Sequence, residues 1–227
     1  LNDEDPESAT QDWGYHANYL CLGFRGSLWG NFGYHVEAIS EFGKSAAAGS
    51  TEEESIQAFA LLASIDYRFD APTSPSLTFE YMYGSGDSDR GSVTDVATGN
   101  TAGTDDEGFL AFGFVQTGYS LFPRVSNIHI LKFGGSFQPF ESTETFRYIE
   151  IAAFGYLYRK AEGAAAISDP RANLDDEDVG SEFDLLFRWR VLSDVGVSIN
   201  FGRFLPGDAY DDSTARNFFS AGLTYSF

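Results

Sequence analysis

The carboxy-terminal stretch "NFFSAGLTYSF" alternates by twos. Phe219, Ala221, Leu223, Tyr225 and Phe227 are apolar, and Ser220, Gly222, Thr224 and Ser226 between them are small or polar. Successive side chains of a strand point to opposite faces, so this pattern predicts a strand with one apolar face. The alternation recurs at about 13–24, 30–43, 56–69, 76–84, 127–138, 147–159, 180–191 and 195–204, which with 217–227 makes nine strands. Most exceed the roughly 5–6 residues of an average globular strand and match the about 9–11 that a tilted strand needs to cross a bilayer. The predicted fold class is all-β: an antiparallel transmembrane β-barrel, or the carboxy-terminal part of one, forming a single domain over 1–227 that lacks amino-terminal strands in the second case.

The connections alternate in length. "FRGSLW", "DAPTSPS", "FESTET" and "LSD" are short, whereas "SAAAGSTEEES", the segment 85–126, "KAEGAAAISDPRANLDDEDV" and "LPGDAYDDSTAR" are long, polar and acidic. Short periplasmic turns and long extracellular loops are the outer-membrane barrel arrangement. In such a barrel the last strand pairs with the first, so a chain can end inside the sheet; in a soluble protein the same strand would be an aggregation hazard.

Strand parity sorts the faces. In 180–191, Phe183, Leu185, Phe187, Trp189 and Val191 share one face, while Glu182, Asp184, Arg188 and Arg190 share the other. Strand 56–69 sets Phe59, Leu61, Ala63, Ile65, Tyr67 and Phe69 against Ser64, Asp66 and Arg68; strand 76–84 sets Leu77, Phe79, Tyr81 and Tyr83 against Thr78 and Glu80; strand 30–43 turns His35, Glu37 and Glu41 inward. Charges at this density are costly in a soluble core and cheap in a water-filled lumen. Tyr67, Phe69, Trp189, Tyr225 and Phe227 beside short turns, and Tyr81 and Tyr83 near a long loop, sit where interfacial aromatic girdles fall, although aromatics are also good strand formers anywhere.

Composition narrows the function. The formal net charge is −20 with a pI near 4.2, the opposite of the basic footprint that a phosphate backbone needs, which excludes nucleic acid as a partner. The acids concentrate in the amino-terminal tail and the long loops, above all Asp175, Asp176, Glu177 and Asp178. They read either as solvated loop charges or as a weak Ca²⁺-type site at the cell surface, without the turn glycine of an EF-hand. One cysteine, Cys21, excludes an internal disulfide and any CxxC motif. No run of 18 apolar residues exists, so no transmembrane helix is expected. No signal peptide is visible and the chain starts at Leu1 rather than Met, as expected of a processed protein or a piece of a longer one. Enzyme signals are lacking. His16, His35 and His129 lie on separate strands, no G-x-S-x-G or P-loop occurs, and "GSGDSDRG" has no strand-to-helix context. No cofactor is expected beyond Ca²⁺ at the loops.

Four stretches carry a family resemblance: "LTFEYMYGSGD" (77–87), "SNIHILKFGGSFQP" (126–139), "VGSEFDLLFRWRVLSDVGVSINFGRFLPGDAY" (179–210) and the terminal "FSAGLTYSF". They resemble the carboxy-terminal half of the alginate-export family of outer-membrane porins, through Ser85, Gly86 and Asp87, then Gly180, Glu182 and Asp184, then Phe204, Pro206 and Gly207. The likeness extends over roughly 30–227. It implies a larger barrel, so that nine strands look like half of one, with missing strands before Leu1. It also implies that "GFLAFGFVQTGYSLFPRVSN" is an extracellular loop folding into the pore; the same aromatics would serve as one more strand pair.

Family pores pass an anionic polysaccharide along arginines. The inward candidates here are Arg68, Lys132, Arg188 and Arg190, with Arg147, Arg159 and Arg203 at the rim and Glu37, Glu80, Glu150, Glu182 and Asp184 on the same inner face. Glu182 and Asp184 are expected to pair with the cations. The expected function is a passive outer-membrane channel for hydrophilic, small or anionic saccharide solutes, located in the bacterial outer membrane among lipid and lipopolysaccharide. The second reading is a scaffold barrel whose acidic loops bind a protein partner, the other barrel half, or surface lipopolysaccharide through divalent cations. A water-filled lumen favours the first and a plugged lumen the second.

Overall fold

The structure, a computed structural model, describes residues 14–47, 53–97, 99–140 and 142–226. Nine strands follow one another in the chain: β1 (Tyr15–Leu28), β2 (Phe32–Ala46), β3 (Glu53–Arg68), β4 (Ser76–Gly84), β5 (Ile128–Phe137), β6 (Ile149–Lys160), β7 (Asp178–Arg190), β8 (Val195–Pro206) and β9 (Arg216–Tyr225). They form one sheet in sequence order, every neighbouring pair antiparallel. There is no helix among the described residues. The sheet is not closed: β1 and β9 each pair with one neighbour only, as in part of a barrel. Phe227 and the acidic amino-terminal tail lie outside the described residues.

All nine predicted strands form, and the differences are at their ends. β1 runs on to Leu28, past the predicted limit at 24, because Gly26 and Ser27 break the side-chain pattern while the backbone ladder to Tyr34 and Gly33 continues. Among the described residues, the segment 85–127 contains no further strand pair, and a bridge joins Asp106 to Ile56. The sorting of connections is less strict than predicted. Segments 29–31, 69–75 and 191–194 are short, but 138–148 folds into successive hydrogen-bonded turns (Arg147 N–H to Thr143, Ile149 N–H to Phe146) that carry Phe146 against Trp189.

Directly paired residues share a face, so the register extends the two faces across the sheet. Tyr34, Ile65, Phe79, Phe133, Gly155 and Phe183 make one row of the outer face. Tyr67, Leu77, Gly135, Ala153, Leu185, Phe201 and Phe219 make another. Large apolar side chains on this face are exposed, Phe79 by 47% and Leu223 by 74%. Charges reach it only near the ends joined by long loops, at Lys44, Glu53, Arg159, Asp178 and Arg203. An apolar face of this extent is far larger than a water-facing surface tolerates.

Candidate functional site: the inner wall and its strap

The opposite face carries the polar groups. One row runs from Arg25 through His35, Ser64, Glu80, Lys132, Tyr156, Glu182 and Phe204 to Arg216. Neighbouring rows hold Glu37 with Leu62 and Met82, Asp66 with Thr78, Arg68 with Ser76, Phe154 with Asp184, and Glu150 with Arg188. All nine predicted lining residues (Arg68, Lys132, Arg188, Arg190, Glu37, Glu80, Glu150, Glu182 and Asp184) therefore share the inner face. They do not converge on one point.

The loop-end half of this wall is covered. After β4 the chain returns to Ser85, whose carbonyl accepts from both Phe109 N–H and Asn127 N–H. Residues 109–127, pinched at that point, lie across the inner face as a strap. Phe109 is buried against Ile56, Ala58 and Ala60. Glu41 accepts Leu110 N–H at 2.8 Å and also the hydroxyls of Tyr15 and Tyr19. Across the sheet, one Glu182 oxygen accepts Tyr119 and Ser120 N–H, each at 2.6 Å, and the other accepts Leu121 N–H at 2.7 Å. Tyr158 donates its hydroxyl to Thr117 O, and Tyr119 stacks on Phe218. The strap thus spans from β1 and β2 to β7–β9, fastened at each side by a carboxylate. Its close seating depends on two glycines. A Cβ at Gly118 (φ +125°) would lie 2.5 Å from the Tyr158 hydroxyl, and one at Gly202 would lie 2.8 Å from Asp184 Oδ1 and 2.9 Å from Tyr119 Cβ. Beneath it, Met82, Ile128, Ile130, Tyr156 and Phe204 form an apolar core together with Leu121 of the strap and Ile167 and Tyr210 from the loops.

Glu182 and Asp184 therefore do not pair with Arg188 and Arg190. Four residues of strand separate Asp184 from Arg188, roughly 13 Å at about 3.3 Å per residue, and Glu182, 3% exposed, is already filled by strap amides. Asp184 is fully buried, with neither oxygen in a hydrogen bond of good geometry. Lys132 pairs instead with Glu80 at 3.0 Å and lies over the Phe154 ring. Arg188 stands 3.9 Å from Glu150, and Arg190 lies over Tyr148, flanked by Arg147. In the turn-end half the wall is open, and Arg25, Arg68, Arg188 and Arg190 are exposed on it together with Asp66. Arg25 lies just past the predicted strand limit at 24, and its place opposite His35 comes from the ladder. The rim arginines Arg159 and Arg203 belong to the outer face, where Arg159 pairs with Glu177.

The long loops are joined by charge. Asp169 accepts Arg171 Nε at 3.0 Å, Arg216 Nη1 at 2.7 Å and the Tyr210 hydroxyl at 3.2 Å. Burial pushes this carboxyl up, but the hydrogen bonds from Arg171 and Arg216 outweigh it and hold it below the ordinary carboxylate range. A depressed native pKa means that the clamp is intact above the unfolded value of about 3.9 and is lost as pH falls through the native one. Hydrogen exchange at pH 5 and then below pH 3 should show the amides of 161–177 and 207–215 losing protection together. Loss in one loop alone would mean that Asp169 does not join them. In the excursion before the strap, Arg90 lies between Asp106 (2.6 Å) and Asp87 (3.7 Å), and burial raises the Asp87 carboxyl above its usual value. The four adjacent acids of the third long loop line one open hollow beside Arg159 and Glu162. Glu177 is taken by Arg159 and Asp176 caps Asp178 N–H, and no three acid, His or Cys groups among the described residues make a metal-ligand set.

An open antiparallel sheet with one exposed apolar face and one charged face crossed by an inward loop is the wall of a β-barrel of the outer-membrane transport class. The family model for alginate export matches residues 2–222, nearly the whole chain, and the chain belongs to that family, one of transporters rather than enzymes. No curated protein matches it in sequence.

Proposed function

We propose that this chain builds the wall of a passive outer-membrane channel for hydrophilic solutes, anionic saccharides among them. The observation that carries this reading is the division of one sheet into an apolar, exposed outer face and a charged inner face. Such a division fits hydrocarbon on one side and water on the other. In this orientation the long loops are extracellular, the short turns periplasmic, and the strap narrows the outer half of the lumen. Arg25, Arg68, Arg188 and Arg190 line the periplasmic half, and Asp66 and Glu150 only partly offset them. Low-dielectric walls focus the field of such cations and raise the local anion concentration. Ion selectivity should be modest, because Lys132 is matched by Glu80 and Arg188 faces Glu150.

The test is single-channel conductance of the full chain in a planar bilayer, followed by reversal potential in a salt gradient. The double replacement Arg188→Ala with Arg190→Ala should tilt the channel toward cations with the barrel still folded, since luminal changes tune selectivity more than stability. An unchanged reversal potential would make these arginines braces of the wall. The scaffold reading has its own observation in the apolar core that fills the inner face of β4–β8 beneath the strap. Absence of any conductance from folded protein would decide for it.

A further inference from the structure

Between the strap and the inner wall of β2–β4 lies a cavity of about 380 Å³. We infer that it binds a small amphipathic organic anion, an aromatic or short aliphatic body bearing one carboxylate, at a site separate from the arginine-lined path. This goes beyond the channel reading and does not rest on it.

The size falls within the roughly 300–1,000 Å³ of ligand pockets, which are mainly apolar with a few convergent polar groups. Its wall side is Ile39, Ala60, Leu62 and Met82, and its strap side includes Phe109, Phe112 and Val115. Met82, Ala60 and Phe109 are at most 5% exposed, so this floor is fixed by packing on both sides. A hydroxyl-rich sugar ring placed here would leave its polar groups desolvated and unpaired. An apolar body loses nothing. The polar groups are confined to His35, Glu37 and Arg124. Glu37 lies 3.7 Å from His35, so that side of the mouth already holds its own negative charge and repels a second. Arg124 makes no ion pair among the described residues. Its guanidinium lies 5.5 Å from the Phe114 ring centroid, and Phe114 stacks on Phe122 at 6.3 Å and 11°. The stacked rings hold an uncommitted fork of N–H donors at the mouth, a geometry suited to a carboxylate. No local motif marks this site, because its parts come from three strands and two arms of one loop.

The probe is 3-phenylpropanoate, titrated by calorimetry against the full chain in lipid vesicles. It is compared with 3-phenylpropanol, which has the same body without the charge, and with glucuronate, which has the charge on a polar body. The acid should bind more tightly than the alcohol, and glucuronate not measurably. Arg124→Ala should weaken the acid about tenfold and leave the alcohol unchanged. Leu62→Trp, which fills the cavity, should abolish binding of both; if that variant fails to fold, the Arg124→Ala pair of titrations decides. No heat with the acid, glucuronate binding as tightly as the acid, or an acid affinity unaffected by Arg124→Ala would each overturn the inference. Conductance is read on the same preparation. Binding lost with conductance intact overturns this site alone, and the reverse overturns the channel reading alone.

Discussion

Glu182→Ala is expected to free the strap from the wall and to raise single-channel conductance severalfold, with a loss of stability of about 3 kcal/mol or more. Three backbone N–H groups, of Tyr119, Ser120 and Leu121, converge on this one carboxylate. Each buried donor left without a partner costs about 1–3 kcal/mol, and more when the lost partner is charged. Alanine also removes an anion from beside the buried Asp184, which offsets part of the loss through relief of like-charge repulsion. The net sign still follows the amides, because three donors outnumber one repulsion. Gly202→Val reaches the strap by another route. A side chain there would meet Asp184 Oδ1, Tyr119 Cβ and Ser120 N–H, so it should push the strap further into the lumen and lower conductance, with Glu182 still in place. Larger conductance in Glu182→Ala together with smaller conductance in Gly202→Val would establish the strap as the constriction. A Glu182→Ala protein with wild-type conductance and stability would mean that the strap is held by its apolar core, and that the carboxylate only decorates it.

The strands were legible because each obeys a local rule. Alternation along β7, with Phe183, Leu185 and Phe187 set against Glu182, Asp184 and Arg188, is visible from neighbours two apart and needs no knowledge of the fold. The faces followed from the same rule, and the ladder carries them from strand to strand. What stayed hidden is what depends on contacts distant in sequence. Parity puts Glu182 on the inner face but is silent about what meets it there, and its partners are sixty or so residues earlier, in a loop with no period. A signal was present in "GFLAFGFVQTGYSLFPRVSN", which has too many aromatics for a solvated loop. Two of its three glycines, Gly113 and Gly118, have positive φ and argue for a tightly seated loop rather than a strand pair. Arg25 was missed for the opposite reason: its strand is sustained by backbone pairing where the side-chain pattern fades. The four acids from Asp175 to Asp178 are adjacent in sequence but take different partners, Glu177 the Arg159 guanidinium and Asp176 the Asp178 N–H, which sequence order alone does not reveal.

Leu185→Arg should prevent stable insertion, while Arg188→Leu, three residues on, should leave the folded state almost unchanged. Leu185 is on the outer face, in the row of Tyr67, Leu77, Ala153, Phe201 and Phe219, 41% exposed and near the middle of β7. If that face meets hydrocarbon, an arginine near the bilayer centre costs about 2–4 kcal/mol, falling toward zero at the interfaces. A guanidinium on this short stretch has the long reach to water of a mid-strand residue, so little of that cost is recovered by snorkelling. Arg188 is on the inner face with its side chain 57% exposed. Its loss removes a weak, long contact to Glu150 at 3.9 Å, worth under about 1 kcal/mol. The measurement is urea unfolding of both variants in lipid vesicles, with the midpoint and slope compared to those of the unaltered chain. A soluble sheet would give a different answer. There, arginine on an exposed face would be neutral or favourable, so Leu185→Arg would unfold at the same urea concentration as the unaltered protein or a higher one. That outcome would remove the membrane from the interpretation of this sheet, and with it the assignment of the opposite face to a lumen.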